Sequence, residues 1–453
     1  MNKLNIAGFK IEKLFGYLDV DLKFDEKYKI LIGENGLGKT TILNALYYLL
    51  EKKFEKLNDI VFDSIELTFD SKKIIKFNKI DLEFYLNGRN KNQENRFYEL
   101  LGETLKKPDL QSLNEIIYNK KYSDFEKRIE VVDYLNKINF KVKAPNKYIY
   151  DNVKYFIVEQ KSADFNNILE ILEKNVSSKI LYFPTYRRIE SQLNRLRKDS
   201  IERFYWEDEI EDESEKFDDN LKFGMDDVKD RINNLTEEIR SKSLVGFSKI
   251  TGDLLGHLSN EFKNYRVKNR FDKNKLEIIL NRVEDSINKE DKIKITQYIE
   301  SGDKSNKGLL YFIDKLIDLY NEQETLDLAI KNFAETCNNY LNFKKFDYDE
   351  SSISLKIVRE NSDDIIELDQ LSSGEKQIVS LFSKIYLDLE KSFYILLDEP
   401  ELSLSIIWQS RLLPDIVKSN KCDFLFTVTH SPFIYDNDLE DYAYGLINYI
   451  KFN

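Results

Sequence analysis

The sequence of 453 residues is poor in cysteine, histidine and long apolar runs. Its two cysteines, Cys337 and Cys422, are far apart and match no metal-ligand spacing, which argues against a disulfide framework or a zinc site and favours a reducing compartment. No eighteen apolar residues run together, and the first residues show no cationic stretch followed by an apolar segment. We therefore expect a cytoplasmic protein that is neither exported nor inserted into a membrane.

Basic residues are also fewer than acidic residues. Lys and Arg number 69 against 81 Asp and Glu, which gives a formal net charge of -12. The molecule as a whole should repel a phosphate backbone, so any contact with nucleic acid must come from a local basic surface. The hydrophobic content of 42% is enough to fill the core of one large or two ordinary domains.

The N-terminal pattern predicts strands followed by a helix. Alternating apolar and polar residues in the first thirty positions predict two antiparallel strands, and residues 28–32 predict a short buried strand. This strand leads directly into GENGLGKTT, and from Thr41 the chain has helical periodicity without a breaker. Further strands are predicted over 59–69 and 73–77.

The segment between that strand and helix matches the complete phosphate-loop pattern GxxxxGK[ST]. Glycines allow backbone N–H groups to curl around phosphates, and the N-terminus of the helix adds positive potential. Lys39 is expected to pair with the terminal phosphates of ATP, and Thr40 to reach Mg²⁺. The predicted nucleotide-binding residues of this loop are Gly33, Asn35, Gly36, Gly38, Lys39, Thr40 and Thr41.

Two adjacent acids end the apolar run FYILLDE at 393–399. A strand of this kind places Asp398 and Glu399 at the edge where α/β sheets bind ligands. Asp398 is suited to hold Mg²⁺, and Glu399 is suited to polarise the attacking water, a role worth about 10²- to 10⁴-fold in rate. In isolation the pair would be ordinary acids at a strand end, but its combination with a phosphate loop favours the catalytic interpretation.

LSSGEKQ, which precedes a helix predicted over 376–390, supplies a second candidate anion site. Ser372 and the backbone of Gly374 would lie at the positive end of that helix. Ser372 followed by Glu375 is also a capping box, and capping alone would explain the pair. The position of this segment shortly before the acid-ended strand favours nucleotide binding as its main role.

His430 follows the predicted strand FLFTVT. An imidazole at this place can contact the terminal phosphate of a nucleotide. A lone histidine is more often a core or surface residue, but its place after three nucleotide-binding motifs favours a catalytic role. The second histidine, His257, is interpreted as structural.

The middle of the chain, from about residue 90 to 345, is mainly helical in pattern and is interrupted by a strand predicted at 179–183. Amphipathic helices are predicted over 226–262 and 309–341. The acid-rich segment 207–219 is interpreted as a solvated loop.

The four motifs GENGLGKT, LSSGEKQ, LLDEPE and THSP resemble the Walker A, signature, Walker B and switch-histidine motifs of ABC ATPases. This resemblance implies an α/β, ABC-type P-loop ATPase with a two-lobed nucleotide-binding domain and a large, mainly helical insertion. It divides the chain into an N-terminal lobe (1–190), a helical insertion or arm (191–345) and a C-terminal lobe (346–453). It implies hydrolysis of ATP to ADP and phosphate, with ATP and Mg²⁺ as cofactors.

The resemblance also implies a homodimer or higher homo-oligomer, in which Ser372 and Gly374 of one copy complete the site built by Lys39, Thr40, Asp398 and Glu399 of another. In transport members the signature closely follows Walker A, whereas here most of the chain separates the two, as in the SMC-like branch. Ser373 and Ser405 stand where transport members have a signature glycine and the D-loop aspartate. Gln160 and Gln192 are both candidates for the Q-loop glutamine.

Within this branch, FPTYRRIE, LSSGEKQ and DEPELSLSIIWQ resemble ATPases of bacterial anti-phage systems: the Septu ATPase PtuA, its retron-associated relatives and, more distantly, the OLD and PARIS ATPases. This implies a sensor or regulator that controls a separate effector nuclease, of HNH or TOPRIM type, since no residues remain after the motifs for a nuclease domain. The alternative is a DNA repair or recombination ATPase that clamps DNA. An importer subunit fits the long insertion poorly, and no membrane partner is expected.

Basic residues follow the strand predicted at 179–183. They are suited to contact nucleotide, DNA or the acids of a partner, and a solvated helix face explains them equally well. They are Arg187, Arg188, Arg195, Arg197 and Lys198.

Overall fold

The computed structural model describes residues 6–88, 100–102, 104–118, 122–140, 144–176, 178–185, 224–258, 273–282, 287–362 and 364–453. The chain divides into two compact units. Unit 1 consists of Met1–Ile180, Phe424–Val428 and Tyr442–Asn453, and unit 2 consists of Leu181–Asp423 and Thr429–Asp441. The three-part division predicted from the motifs stays a prediction.

Strands and helices both contribute to the described chain. The strands are β1 (Ile6–Leu14), β2 (Leu18–Lys23), β3 (Tyr28–Ile32), β4 (Ser64–Phe69), β5 (Ile74–Asn78), β6 (Lys179–Phe183), β7 (Lys344–Asp349), β8 (Ser354–Arg359), β9 (Ile365–Ile366), β10 (Phe393–Asp398), β11 (Cys422–Thr429), β12 (Ala443–Gly445) and β13 (Ile450–Phe452). The helices are α1 (Lys39–Leu50), α2 (Phe54–Asn58), α3 (Lys79–Gly88), α4 (Lys107–Tyr118), α5 (Asp124–Lys137), α6 (Asn146–Asn175), α7 (Met225–Leu258), α8 (Lys273–Arg282), α9 (Lys289–Glu300), α10 (Lys307–Asn338), α11 (Ser373–Tyr386) and α12 (Ile406–Lys418).

A five-stranded sheet in unit 1 has the order β13-β2-β1-β4-β5, and every neighbouring pair is antiparallel. The pairing of β1 with β2, from Gly8 opposite Lys23 to Leu14 opposite Leu18, confirms the two strands predicted from the alternation. Because side chains alternate between the two faces of a strand, one face of this sheet is apolar and buried.

Strand β4 begins at Ser64, later than the predicted start at Asp59. The short helix α2 ends at Asn58, and the amide of Ile60 donates to the carbonyl of Leu57 in the turn that follows it. The residues that suggested an early start to the strand therefore lie in the turn and loop between α2 and β4.

Strand β3, confirmed at the predicted residues, is buried through its middle and leads into the phosphate loop. It pairs in parallel with β12 and lies next to β11 in unit 1. Lys29 of β3 is only 4% exposed, and its Nζ lies 4.4 Å from the ring centroids of both Tyr444 and Tyr449. This buried cation, whose pKa is lowered by burial, ties the C-terminal segment to the strand that carries the loop.

Helices α3 to α6 form a layer of unit 1 with an apolar core of its own. Phe165 of α6 stacks on Tyr85 of α3 with ring centroids 4.5 Å apart, and it meets Phe54 edge to face. The buried core residues of the rest of this layer are Leu101, Leu105, Leu113, Ile117, Val131, Leu135, Phe140, Ile149, Tyr150, Val153, Phe156 and Ile157. The mainly helical character predicted for this region is confirmed in the described residues.

The long helices α7 and α10 pack against each other in unit 2. They confirm the amphipathic helices predicted over 226–262 and 309–341, with bounds of Met225–Leu258 and Lys307–Asn338. With α8 they enclose a core of Ile250, Leu276, Ile279, Leu280, Ile313, Leu316, Ile317 and Tyr320.

A buried ion pair connects α8 to α10. Arg282 Nη2 lies 2.6 Å from Asp327 Oδ1, and the two side chains are 5% and 2% exposed. The hydroxyl of Tyr348, on β7, donates to the same oxygen at 2.6 Å, and Arg282 Nη1 donates to Gln323 Oε1 at 3.0 Å. This network links the helices of unit 2 to the antiparallel sheet β7-β8-β9.

Helix α11 has different limits from those predicted. It begins at Ser373 rather than Lys376, because the capping box of Ser372 with Glu375 starts the helix earlier. It ends at Tyr386 rather than Glu390. Lys421 Nζ donates to the carbonyls of Tyr386 and Asp388, at 3.4 and 2.7 Å, and so satisfies groups that a longer helix would have bonded internally.

Several predictions fall outside the described residues. They concern the acid-rich segment 207–219, Gln192, and the basic residues Arg187, Arg188, Arg195, Arg197 and Lys198. The side chains of Gln160 and His257 are outside them as well. Both cysteines are buried. Within the described part of the chain, no helix is long and apolar enough to cross a bilayer.

Candidate nucleotide-binding and ATPase site

The phosphate loop lies in unit 1 between β3 and α1. Gly36 and Gly38 have positive φ values of 87° and 82°, a conformation that costs other residues about 1–2 kcal/mol. Gly38 is the N-cap of α1, and it provides no side-chain cap. A helix N-terminus without a capping side chain presents backbone N–H groups to an anion, so this backbone is arranged for phosphate binding.

The side chain of Lys39 folds back over the loop. Its Nζ donates to the carbonyls of Gly33 at 2.8 Å and Glu34 at 3.0 Å, and the residue is 5% exposed. These bonds fix the ammonium group beside the loop backbone, where a bound phosphate would require a positive charge. The geometry suits the predicted role of Lys39 in binding phosphate.

Two loop glycines are also limited by their neighbours. A Cβ at Gly38 would lie 2.8 Å from Cε2 of Phe15, and a Cβ at Gly33 would lie 3.3 Å from Cβ of Leu446. The remaining predicted residues of the loop are placed as follows: Asn35 and Gly36 are exposed, and Thr40 and Thr41 are half-buried at the start of α1.

Strand β10 ends at Asp398, the first of the two predicted acids in unit 2. All six of its residues are buried, and Asp398, the last, is 2% exposed. Thr185 Oγ1, just after β6, donates to Asp398 Oδ2 at 2.8 Å. A buried carboxylate needs hydrogen bonds or a cation to offset its desolvation, and the threonine hydroxyl supplies one such bond.

Glu399 and His430 are brought together although they are distant in sequence. Glu399 Oε1 lies 3.2 Å from His430 Nε2, and the side chains are 25% and 29% exposed. Glu399 has a φ of 47°, a left-handed conformation that costs about 1–3 kcal/mol in a residue with a side chain. The turn directs Glu399 out of the line of β10 towards the imidazole, and both groups remain accessible to water.

The signature segment forms the predicted capping box at the start of α11. Ser372 is exposed and donates through Oγ to Glu375 Oε2 at 2.9 Å. Lys344 Nζ lies 2.7 Å from the same carboxylate oxygen. Burial would raise the pKa of Glu375, but hydrogen bonds from Lys344 and Ser372 outweigh it and hold this pKa below its usual value.

Gly374 is buried against the loop that follows β10. A Cβ at this position would lie 2.5 Å from the carbonyl oxygen of Ser403 and 3.1 Å from Cζ3 of Trp408. Gln377, one turn further on, donates to the carbonyl of Pro400 at 3.0 Å. The signature helix is therefore joined to the post-strand loop by close packing at its glycine and by a side-chain hydrogen bond.

The serine at the D-loop position has a local structural role. Ser405 is the N-cap of α12, and its Oγ accepts a hydrogen bond from the amide of Trp408 at 3.4 Å. An aspartate would cap a helix equally well, so the departure from the transporter pattern does not alter the local backbone.

In the described residues, no group of three or more His, Cys, Asp and Glu side chains is arranged to hold a metal ion. Mg²⁺ in nucleotide sites takes one or two protein ligands and completes its shell with phosphates and water. The buried carboxylate of Asp398 is of the type that this ion prefers.

Sequence reasoning missed two side chains that contact predicted residues, Thr185 and Glu401. It also missed Gln377, which contacts the loop after β10. Thr185 and Glu401 occur in the quoted phrases FPTYRRIE and DEPE, so their proximity to a motif was the available signal. Of the predicted site residues, the phosphate loop belongs to unit 1, whereas Ser372, Gly374, Asp398, Glu399 and His430 belong to unit 2.

The loop between β3 and α1 defines the chain as a P-loop nucleotide-binding protein of mixed α and β structure. Residues 1–435 match the family model described as the AAA ATPase domain. The match spans most of the chain, and the protein belongs to this family, whose members are ATPases. A comparison with curated proteins gave no match.

The solved structures that are similar to the chain include the following two. The crystal structure of the SmcHead bound to the C-winged helix domain of ScpA has 9% identity and a TM-score of 0.31, covering 95% of this chain and 91% of that one. The Smc head domain with an extended coiled coil, bound to the C-terminal domain of ScpA from Pyrococcus furiosus, has 11% identity and a TM-score of 0.34, covering 95% and 90%. With TM-scores below 0.5, neither similarity carries an inference about partner or function.

Proposed function

We propose that the protein hydrolyses ATP with Glu399 as the group that polarises water and His430 as its partner at the terminal phosphate. The contact of 3.2 Å between Glu399 Oε1 and His430 Nε2 is the observation that carries this proposal. A carboxylate paired with an imidazole, both partly exposed at the end of a buried strand, can accept a proton from water and keep a hydrogen-bond donor near the substrate.

Nucleotide binding is assigned to the phosphate loop. Backbone N–H groups from Gly33 to Thr41 would surround the phosphates, with Lys39 supplying the positive charge. Thr40 and Asp398 would hold Mg²⁺, which neutralises charge on the phosphates. The left-handed glycines and the buried carboxylate support this assignment.

Dimerisation around ATP is the second part of the proposal. Ser372 and Gly374 of one copy would complete the site of another copy, as the order of the motifs implies. An exposed serine at the N-terminus of a helix is suited to meet a phosphate presented from outside. The domain assignment that accompanies this model is a motif-bearing lobe at 1–190, an SMC-like arm at 191–345 and a second lobe at 346–453.

The biological role we propose is sensing or regulation in a bacterial anti-phage system, in which the ATPase controls a separate effector nuclease. The support is the resemblance of FPTYRRIE, LSSGEKQ and DEPELSLSIIWQ to the ATPases of such systems. The role also fits the ATPase class of the chain, because an ATP-dependent change between open and closed dimers is a means of holding or releasing a partner.

A pull-down tests this role. Tagged Glu399→Gln protein, expressed with its genomic neighbours and ATP, should retain ATP and carry a nuclease at fixed stoichiometry. Exposed Glu440→Gln is the matched control and should turn over ATP at the normal rate. Recovery of DNA with steeply salt-dependent affinity, and no nuclease, would instead support the DNA-clamp alternative.

A further inference from the structure

Glu401 holds the backbone of the segment that carries His430. Its Oε1 accepts hydrogen bonds from the amides of His430 at 2.8 Å and Ser431 at 3.2 Å. Its Oε2 is buried and has no hydrogen-bond partner within the described part of the chain. The carboxylate thus directs one oxygen at two converging N–H groups immediately after β11, an arrangement stronger than bonds between neutral groups.

Gln409 of α12 forms hydrogen bonds to both the loop after β10 and the segment after β11. Its Oε1 accepts a hydrogen bond from Ser431 Oγ at 2.6 Å. Its Nε2 donates to the carbonyls of Glu401 at 3.4 Å and Leu404 at 3.0 Å. The loop after β10 and the segment after β11 are therefore joined by two independent side chains.

Glu399 and Glu401 belong to one tight turn, in which the amide of Leu402 approaches the carbonyl of Glu399 at 3.4 Å. The imidazole of His430 contacts the first of these glutamates, and its backbone contacts the second. The side chain and the backbone of His430 are therefore both held by the turn that contains Glu399 and Glu401. A shift of the turn would move Glu399 and His430 together.

We propose that Glu401 is a positioning residue, which keeps His430 in contact with Glu399 for ATP hydrolysis. The inference rests on the proposed function, because it assumes that the pair acts on ATP. It assigns to the third acid of DEPE a role through the backbone of His430 and no contact with substrate. The length of the side chain matters more for this role than its charge, because Oε1 must lie within hydrogen-bond distance of two backbone N–H groups.

Two substitutions of Glu401 distinguish the effect of side-chain length from the effect of charge. Glu401→Gln keeps the length and the accepting oxygen, and kcat should stay within about 5-fold of the wild type. Glu401→Asp keeps the charge but is one methylene shorter, and kcat should fall by about 10- to 100-fold, the scale of a 1 Å misplacement. The Kd for ATP should change by less than about 3-fold in both, since the phosphate loop is untouched. Glu440→Asp, at an exposed position, is the control and should match the wild type.

The same substitutions in a His430→Ala background test whether Glu401 acts through the histidine. Glu401→Asp should then lower kcat by less than about 2-fold further, because effects that pass through one shared group are not additive. Equal losses in both backgrounds, or a Gln variant slower than the Asp variant, would overturn the inference. Normal hydrolysis by His430→Ala would refute the proposed role of the pair, whereas slow His430→Ala with normal Glu401→Asp would refute the positioning role alone.

Discussion

Replacing the signature glycine Gly374 with alanine places a methyl group where the chain has no room. The new Cβ would lie 2.5 Å from the carbonyl oxygen of Ser403, closer than the 3.0 Å that Cβ atoms in proteins essentially never violate. It would also lie 3.1 Å from Cζ3 of Trp408. The nearer atom belongs to the backbone, so a change of side-chain rotamer cannot relieve the overlap.

Two opposing effects determine how much Gly374→Ala changes the free energy of unfolding. Overpacking of a tight site typically costs about 1–3 kcal/mol. Alanine is intrinsically better than glycine inside a helix by about 1 kcal/mol, although this gain is smaller in the first turn. We therefore expect Gly374→Ala to lower the free energy of unfolding by about 1–2 kcal/mol.

Gly252→Ala supplies the matched control. Gly252 is an exposed glycine of α7, in the same unit, and its Cβ would have no atom within 4 Å. This variant should raise the free energy of unfolding by up to about 1 kcal/mol, because only the propensity term remains. The two substitutions are chemically identical, so the difference in sign isolates the close approach to Ser403.

The assay is urea unfolding followed by far-ultraviolet circular dichroism, together with steady-state ATP hydrolysis. Gly374→Ala should shift the midpoint to lower urea and reduce hydrolysis, and Gly252→Ala should shift it to equal or higher urea with normal hydrolysis. Parallel shifts of the two midpoints would show that the signature helix does not pack on the loop in the manner described.

Three further predictions follow from other contacts. Lys39→Ala should abolish measurable ATP binding in calorimetry, because it removes the ammonium group that the carbonyls of the phosphate loop hold in place. Arg282→Ala should lower the free energy of unfolding by about 3–5 kcal/mol, since it leaves the buried carboxylate of Asp327 uncompensated, and the double variant with Asp327→Ala should lose less than the sum of the two single changes. The lowered pKa of Glu375 means that its ionised side chain stabilises the fold above about pH 4.5, and that this stabilisation is lost as the pH falls through the folded-state pKa. Lys344→Met should raise this pKa. The loss of stability should then occur at a higher pH when unfolding is measured across the acid range.

Each of these has a result that contradicts it. For Lys39→Ala, it is ATP binding with the same affinity as that of Lys52→Ala, a substitution at a half-buried lysine outside the phosphate loop. For Arg282→Ala, additive losses with Asp327→Ala would show that the pair is not coupled. For Lys344→Met, an unchanged acid limb of the stability profile would show that the lysine does not stabilise the ionised form of Glu375.

Local patterns predicted the elements that carry the site. The strand, glycine-rich loop and helix around Lys39 are formed by consecutive residues, so a local pattern is enough to predict them. The same is true of the buried strand that ends at Asp398. The helix at LSSGEKQ was predicted with shifted limits. Its start depends on the side chain of Glu375 reaching back to Ser372, and its end depends on Lys421, which is distant in sequence and precedes β11.

The contacts that arrange the site were not predictable from the sequence in the same way. Thr185 reaches Asp398, and Glu401 reaches the amide of His430, only because the fold brings together residues that are remote in sequence. The reason why residue 374 must be small is likewise a tertiary contact with Ser403. Hydrophobic periodicity specifies which residues form an element, but it does not specify which polar side chains meet at its end.

The most direct test of the ATPase assignment is the hydrolysis rate and ATP affinity of purified Glu399→Gln protein, compared with Glu440→Gln. Glutamine keeps the size of the side chain but cannot accept a proton from water, so hydrolysis should fall by about 10²- to 10⁴-fold with ATP binding retained. Glu440→Gln should behave as the wild type. Normal hydrolysis by Glu399→Gln would contradict the assignment of the base and, with it, the proposed use of the Glu399–His430 pair.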